Sequence, residues 1–277
     1  MTERRVLYST IDDGRIAIVT LNRPRYRNAL SLQTMQELDA AFGQAVSDPE
    51  VRVAILRAEG PAFSAGHDLG SPDVQSRGEP ENRTRAMYER TWDLDIDHYL
   101  RFRSLPIPTI AAVQGNCILA GWMLASAMDV VFAAEDAEFL MSDIEYFSMP
   151  WDLGLRRTRA ILFENRFLTA AEVEEMGFVY QVVPADQLQD AVLEYARRVA
   201  EQDKFRLRMM KLSLNQMQDM QGFTTHIISH HTGWAVSRSG SSPPERDKTS
   251  SRQHGIVAHA RTAPLRRRGR SGGSPGE

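Results

Sequence analysis

The sequence predicts an α/β fold, and three observations carry that prediction. Short apolar β-type runs, at residues 51–58, 109–113 and 130–134, alternate with segments of helical spacing. No repeat of fixed period accompanies the alternation, which sets solenoid and propeller arrays aside. Two of the runs end in turns of small residues, 61–69 and 115–121, and the second opens a helical pattern through Leu124, Ala125 and Met128.

Residues 6–9 and 15–21 read as two short strands around Asp12-Asp13-Gly14, a hairpin signal. Asn22-Arg23-Pro24 stops the second strand, and Arg25-Tyr26-Arg27-Asn28 leads to Ser31, an N-cap residue type. Leu32, Met35, Leu38, Phe42, Ala45 and Val46 then recur at helical spacing until Asp48-Pro49. Residues 71–85, with Pro72, Gly78 and Pro80, read as a mobile loop. Residues 87–102 have helical character, with Met87, Leu94, Tyr99 and Leu100 as apolar contacts, and Pro106-Ile107-Pro108 ends that helix. Thr169-Ala170-Ala171-Glu172 has the form of a capping box, and 178–183 reads as a strand-like exit. Leu188, Val192, Tyr195 and Val199 mark a further helix, followed by a Met/Leu-rich segment from 205 to about 220. The expected organisation is a core over 1–186, a helical region over 187–240 and a disordered basic tail over 241–277, which lacks the apolar content to offset ordering entropy.

The net charge of −3 is unevenly spread: 241–277 holds eight Lys/Arg against three Asp/Glu, leaving +5 there and −8 in the rest. The cluster Arg266-Arg267-Arg268-Gly269-Arg270 suits either an anionic partner such as nucleic acid or a solvated tail. The tail reading is preferred, so no nucleic acid is expected as a partner. The one cysteine, Cys117, excludes an intrachain disulfide framework and a cysteine-based metal cluster, and reads as a small buried hydrophobe rather than a nucleophile. No metal-ligand set or redox-cofactor motif stands out. Nothing is apolar for long enough to span a bilayer, and Met1-Thr2-Glu3-Arg4-Arg5 lacks a signal core, so a cytoplasmic protein is expected.

A turn that opens a helix leaves backbone N–H groups without intrahelical partners, free to face developing negative charge. With the two such turns in order, Asn22-Arg23-Pro24 before them and Leu153-Gly154 after them, the chain from Val6 to Ser237 resembles the crotonase superfamily, the enoyl-CoA hydratase/isomerase fold. The resemblance implies a spiral core of repeated ββα units with a C-terminal helical oligomerisation region, and a trimer or dimer of trimers. It implies an acyl-CoA thioester as substrate, with coenzyme A entering as part of it and no separate cofactor. In this register the N–H groups of Ala65 and Ala120, the latter beside Gly121, would hold the thioester oxyanion. Arg25, Tyr26 and Arg27 would lie along the CoA site, with a solvated surface role as the other reading of the arginines. His67, Asp68 and Leu69 would meet the adenine end of CoA and begin the acyl pocket. For His67 itself both a general base and a polar packing residue are open readings.

Related hydratases divide proton transfer between two glutamates. The first falls three residues after Ala120, where this chain has Met123, and a thioether cannot transfer a proton. The second falls fourteen residues after Asp129, on Asp143. In a second register, with a shortened loop before Pro150, Glu145, Tyr146 or Asp152 would instead be the polar groups near the acyl chain. The expected activity is therefore hydration of a trans-2-enoyl-CoA in fatty-acid or related degradation, with Ala65 and Ala120 as donors and Asp143 as acid/base. A Δ3-Δ2 enoyl-CoA isomerase and a catalytically silent acyl-CoA-binding protein are the alternatives.

Overall fold

In the computed structural model, residues 4–71, 82–142, 144–240 and 252–262 are described. The chain order of strands among them is β1 (Val6–Ile11), β2 (Ile16–Leu21), β3 (Val53–Ala58), β4 (Thr109–Val113), β5 (Asn116–Ile118), β6 (Val130–Ala134), β7 (Glu138–Leu140), β8 (Leu168–Thr169) and β9 (Gln181–Val183). They build a six-stranded sheet in the order β1-β2-β3-β4-β6-β9 and a three-stranded sheet in the order β5-β7-β8. The β1–β2 hairpin is antiparallel, with Ile11 opposite Ile16, and every later pairing in the large sheet is parallel.

Strands of a sheet covered on both faces are apolar throughout, and alternate residues enter different cores. In β2, Ile16 and Ile18 join Leu188, Val192 and Ala196 of the helix Leu188–Ala200 on one face. Ala17, Val19 and Leu21 point the other way, toward Met35, Leu38 and Phe42 of the helix Leu32–Ser47. That helix starts as its sequence dictates: the Ser31 hydroxyl accepts from the Thr34 N–H at 3.2 Å. The Thr169/Glu172 capping box is present too, opening the helix Ala170–Glu175.

Three elements differ from the sequence-based expectation. Of the expected mobile loop, 72–81 lies outside the described residues, and its end is already helical, because Asn82 caps the helix Arg83–Thr91 by accepting from the Arg85 N–H. The expected helix over 87–102 is interrupted by a π turn, Trp92–Ile96, before it resumes as Asp97–Arg103. Within the expected disordered tail, residues Arg252–Thr262 form a helix. Its Ile256, Val257 and Ala260 pack on the core, and the Arg261 guanidinium lies 4.7 Å from the Phe167 ring centroid. That short apolar stripe was outweighed in the sequence by the polar residues around it. No helix among the described residues is long and apolar enough to cross a membrane.

Candidate active site

Strands β3 and β4 are neighbours, so the turns that follow them emerge side by side. They continue as a ladder: the Phe63 N–H donates to Gln114 O at 2.8 Å, the Ser64 N–H to Asn116 O at 3.0 Å, and the Ile118 N–H to Ser64 O at 3.0 Å. Glycine is required where the turns touch. A Cβ on Gly66, whose φ is +91°, would lie 2.9 Å from Ile118 O and 3.6 Å from the Ala120 nitrogen. A Cβ on Gly121 would meet Ser64 O at 2.8 Å. Asn28, itself at φ +53°, clasps the first turn by donating to Glu59 O and Ala62 O, both at 2.8 Å, and accepting from the Arg23 N–H.

The donors fall differently from the sequence-based assignment at one position. The Ala65 N–H is engaged, donating to Arg27 O at 2.9 Å. Ladder bonds to Leu30 use the Gly66 carbonyl and the Asp68 N–H, so the His67 N–H between them has no acceptor among the described residues. Across the seam, Ala120 begins the helix Ala120–Ser126, and its N–H likewise has none. The residue before it, Leu119, is held at φ +50°, ψ −105°. Such a conformation costs a non-glycine residue on the order of 1–3 kcal/mol and persists only where the surroundings enforce it.

Beside this seam lies a pocket of about 300 Å³ whose lining includes His67, Asp68, Leu69, Arg90, Asp95 and Glu145. His67 Nε2 is 3.4 Å from Asp95 Oδ1 and 3.6 Å from Glu145 Oε2. Asp95 is fully buried, carried inward by the π turn. Neither ring nitrogen of His67 nor either carboxylate oxygen of Asp95 makes a well-formed hydrogen bond among the described residues. Buried polar groups are almost always paired, so orphans facing a pocket call for a functional explanation. Burial alone would lower the His67 imidazole, but the Asp95 and Glu145 carboxylates outweigh it and push it up to about 9. Burial raises the Asp95 carboxyl to about 8, against the pull of His67 and with the push of Glu145. With His67 and Asp95 both holding their protons at neutral pH, the trio consists of one imidazolium, one carboxylic acid and the Glu145 carboxylate, and its charge cancels. One donor atom from each of the three lies within 4.8 Å of the others, a spacing that suits proton exchange and a divalent ion alike.

The surroundings tie this trio to the second turn. The Tyr99 hydroxyl donates to Ala120 O at 3.3 Å, and burial, reinforced by Asp95 and Glu145, holds its phenol protonated. Met123 accepts at its sulfur from the Tyr146 N–H at 3.3 Å, immediately next to Glu145 in sequence. Behind the pocket, the Thr91 hydroxyl pairs with His231 Nε2 at 2.8 Å, so the helix Phe223–Gly240 closes that side.

The remaining sequence candidates are dispersed. Asp68 pairs with Arg23 at 2.9 Å and accepts from the Ser71 hydroxyl at 2.5 Å; against the effect of burial, these partners hold it ionised. Arg25, Tyr26 and Arg27 are exposed on and just after a 3-10 turn, and Leu69 is partly exposed at the pocket. Gly121 serves the packing of the two turns. Asp152 accepts from Ser126 Oγ at 2.7 Å and Ser148 Oγ at 3.0 Å, and burial, opposed by these hydroxyls, raises it to about 6. Asp143 lies outside the described residues. Asp95 is the member that sequence reasoning missed, since three acids alternate along Trp92-Asp93-Leu94-Asp95-Ile96-Asp97 and only an unforeseen π turn turns one of them inward.

Sheet order and paired strand-to-helix turns put the molecule in the crotonase fold class. It superimposes on the crystal structure of a probable enoyl-CoA hydratase from Mycobacterium thermoresistibile with a TM-score of 0.76 and 38% identity, covering 85% of this chain and 100% of that one. The chain belongs to the enoyl-CoA hydratase/isomerase family, whose model matches residues 12–231. Among curated relatives, EchA13 of Mycobacterium tuberculosis, which bears a provisional enoyl-CoA hydratase name, is 39% identical over 244 residues, 80% of this chain and 77% of the relative. A monofunctional enoyl-CoA isomerase from M. smegmatis is similar in structure, with a TM-score of 0.64 and 29% identity over 78% of this chain and 95% of its own.

Proposed function

We propose that the protein adds water across the double bond of a trans-2-enoyl-CoA. The observation that carries this reading is the pair of partnerless N–H groups, His67 and Ala120, on two turns locked edge to edge beside a pocket with buried acid–base groups. In this reading both N–H groups meet the thioester oxygen and strengthen their hold as it gains charge, each contributing on the order of 3 kcal/mol to the transition state. His67 thereby takes the donor role that the sequence-based register gave to Ala65. Coenzyme A enters as part of the substrate, the exposed Arg25 and Arg27 are suited to its phosphates, and the working form is a homotrimer or dimer of trimers in the cytoplasm.

Shifting a double bond from Δ3 to Δ2 needs the same enolate but no water, and the likeness to the M. smegmatis isomerase favours it as the second reading. Incubation with crotonyl-CoA and a longer trans-2-enoyl-CoA, following loss of the conjugated thioester absorbance, separates the two. Hydration supports the first reading. Conversion of a 3-enoyl-CoA without hydration supports the second, and tight binding with neither reaction reveals a silent acyl-CoA binder.

A further inference from the structure

Met123 stands where related hydratases carry their first carboxylate, so the chain needs proton-transfer groups from elsewhere, and this inference rests on the hydration reading above. Three candidates meet in one place. Asp95 arrives on the π turn, Glu145 from the loop after β7, and His67 from the same residue whose N–H faces the seam. π turns inside helices recur at functional sites because the extra residue re-aims one side chain.

We propose that Glu145 and Asp95 are the catalytic base and acid of hydration and that His67 returns the proton between them. The Glu145 carboxylate takes a proton from water as the water oxygen bonds to the β-carbon, and the double-bond electrons move through the α-carbon onto the thioester oxygen. As the enolate collapses, the α-carbon takes the proton of the Asp95 carboxylic acid. Glu145 is then protonated and Asp95 ionised. The His67 imidazolium gives its Nε2 proton to Asp95 and takes the one on Glu145, restoring the starting state with no external reagent. The geometry suits this circuit because a single atom, His67 Nε2, touches both carboxylates, at 3.4 and 3.6 Å. The other titratable or charged groups around the trio are Asp68, Arg90 and Asp93 at the pocket, Tyr99, Tyr146 and His231. Tyr99 and Tyr146 are held neutral by burial and His231 is pushed toward the neutral form by burial, so the outer charges are carried by Arg90, Asp93 and the Asp68–Arg23 pair.

The test pairs hydration of crotonyl-CoA with exchange of the α-protons of butyryl-CoA in D2O, a reaction that needs the α-carbon group and the oxyanion donors but no water attack. Asp95→Asn is expected to lose both at least 100-fold. Glu145→Gln is expected to lose hydration at least 100-fold while α-exchange persists. His67→Ala retains its backbone N–H, and added imidazole should restore part of its lost hydration, which a merely structural histidine would not allow. Should Asp95→Asn fail to fold, the wild-type pH profile still decides: hydration falls and α-exchange rises as pH passes about 8, and parallel profiles would overturn the assignment. Hydration within threefold of wild type in either folded carboxylate variant overturns it as well. So does wild-type hydration that is abolished by a chelator and restored by zinc, because the trio would then be holding an ion. A wild-type protein that binds crotonyl-CoA but neither hydrates nor exchanges rejects the hydratase reading itself, a result distinct from all of these.

Discussion

At the scale of single residues, the decisive feature is that three ionisable side chains share a buried corner, where two of them, His67 and Asp95, hold their protons to unusually high pH. That arrangement makes stability depend on pH with a definite sign. The folded pKa of His67, about 9, exceeds the unfolded reference of about 6.5, and that of Asp95, about 8, exceeds a reference of about 3.9. In both cases the folded chain holds a proton that the unfolded chain releases more readily, so stability falls as pH rises. The Asp95 contribution declines from about pH 4 to 8, and the His67 contribution from about 6.5 to 9. Urea midpoints should therefore drop between pH 6 and 9, and Asp95→Asn should flatten the slope; a level wild-type profile would contradict the protonated trio. Met123 marks the opposite case, an apolar residue at a position where relatives do proton chemistry. Its side chain is fully buried, and Met123→Leu is expected to keep activity within twofold at a stability cost below about 1.5 kcal/mol. Met123 was legible as a missing acid from sequence, and Glu145 as an alternative in the second register. Asp95 was not, because the alternating acids of its segment look like a solvated face until one added residue in the helix rotates them.

At the scale of elements, the two turns act as one unit whose spacing is set by glycines rather than by side chains. Gly121→Ala would place a Cβ 2.8 Å from Ser64 O, a backbone atom in the opposing turn that cannot swing away. The turns must then part, and with them the two N–H donors, so turnover should fall about 100-fold, the effect of losing one oxyanion donor. Gly43, exposed within the helix Leu32–Ser47 with open space around it, provides the contrast. Gly43→Ala is expected to leave turnover unchanged and to raise stability by about 0.5–1 kcal/mol, through helix propensity and a less varied unfolded chain. Steady-state kinetics and urea denaturation of both variants check the pair, and equal effects would mean that the Gly121 contact is slack. The turns, the hairpin at Asp12-Asp13-Gly14, and the caps at Ser31 and Thr169 were readable from sequence because each rests on local chemistry that few residues satisfy. Which N–H groups stay free was not readable, since it depends on Arg27 and Leu30 reaching the first turn from a distant segment, where their carbonyls accept from the Ala65 and Asp68 N–H groups.

At the scale of the whole molecule, the helix Lys204–Met220 leaves much of its apolar surface uncovered within one chain. Leu207 and Lys211 are buried against the body, while Phe205, Met209, Leu212 and Met220 are 68%, 44%, 44% and 89% exposed. At 3.6 residues per turn these four lie on one side of the helix and the exposed Met210, Leu214 and Met217 on the side adjoining it, so the uncovered apolar surface is a broad face. Single exposed apolar residues are ordinary, but seven of them on one helix of four to five turns need a partner or invite aggregation. A closed assembly that covers this face in every subunit meets that need, as the proposed trimer or dimer of trimers would. Sedimentation equilibrium should accordingly give a mass of three or six chains. Leu212→Glu, which sets a carboxylate within this face, should shift the protein toward monomers, because a charge buried at an interface without a partner costs several kcal/mol. The variant's monomer should keep its circular dichroism, since the side chain is not part of the chain's own core. A wild-type protein that sediments as a monomer, or a variant that stays assembled, would mean that this face is not where the subunits meet.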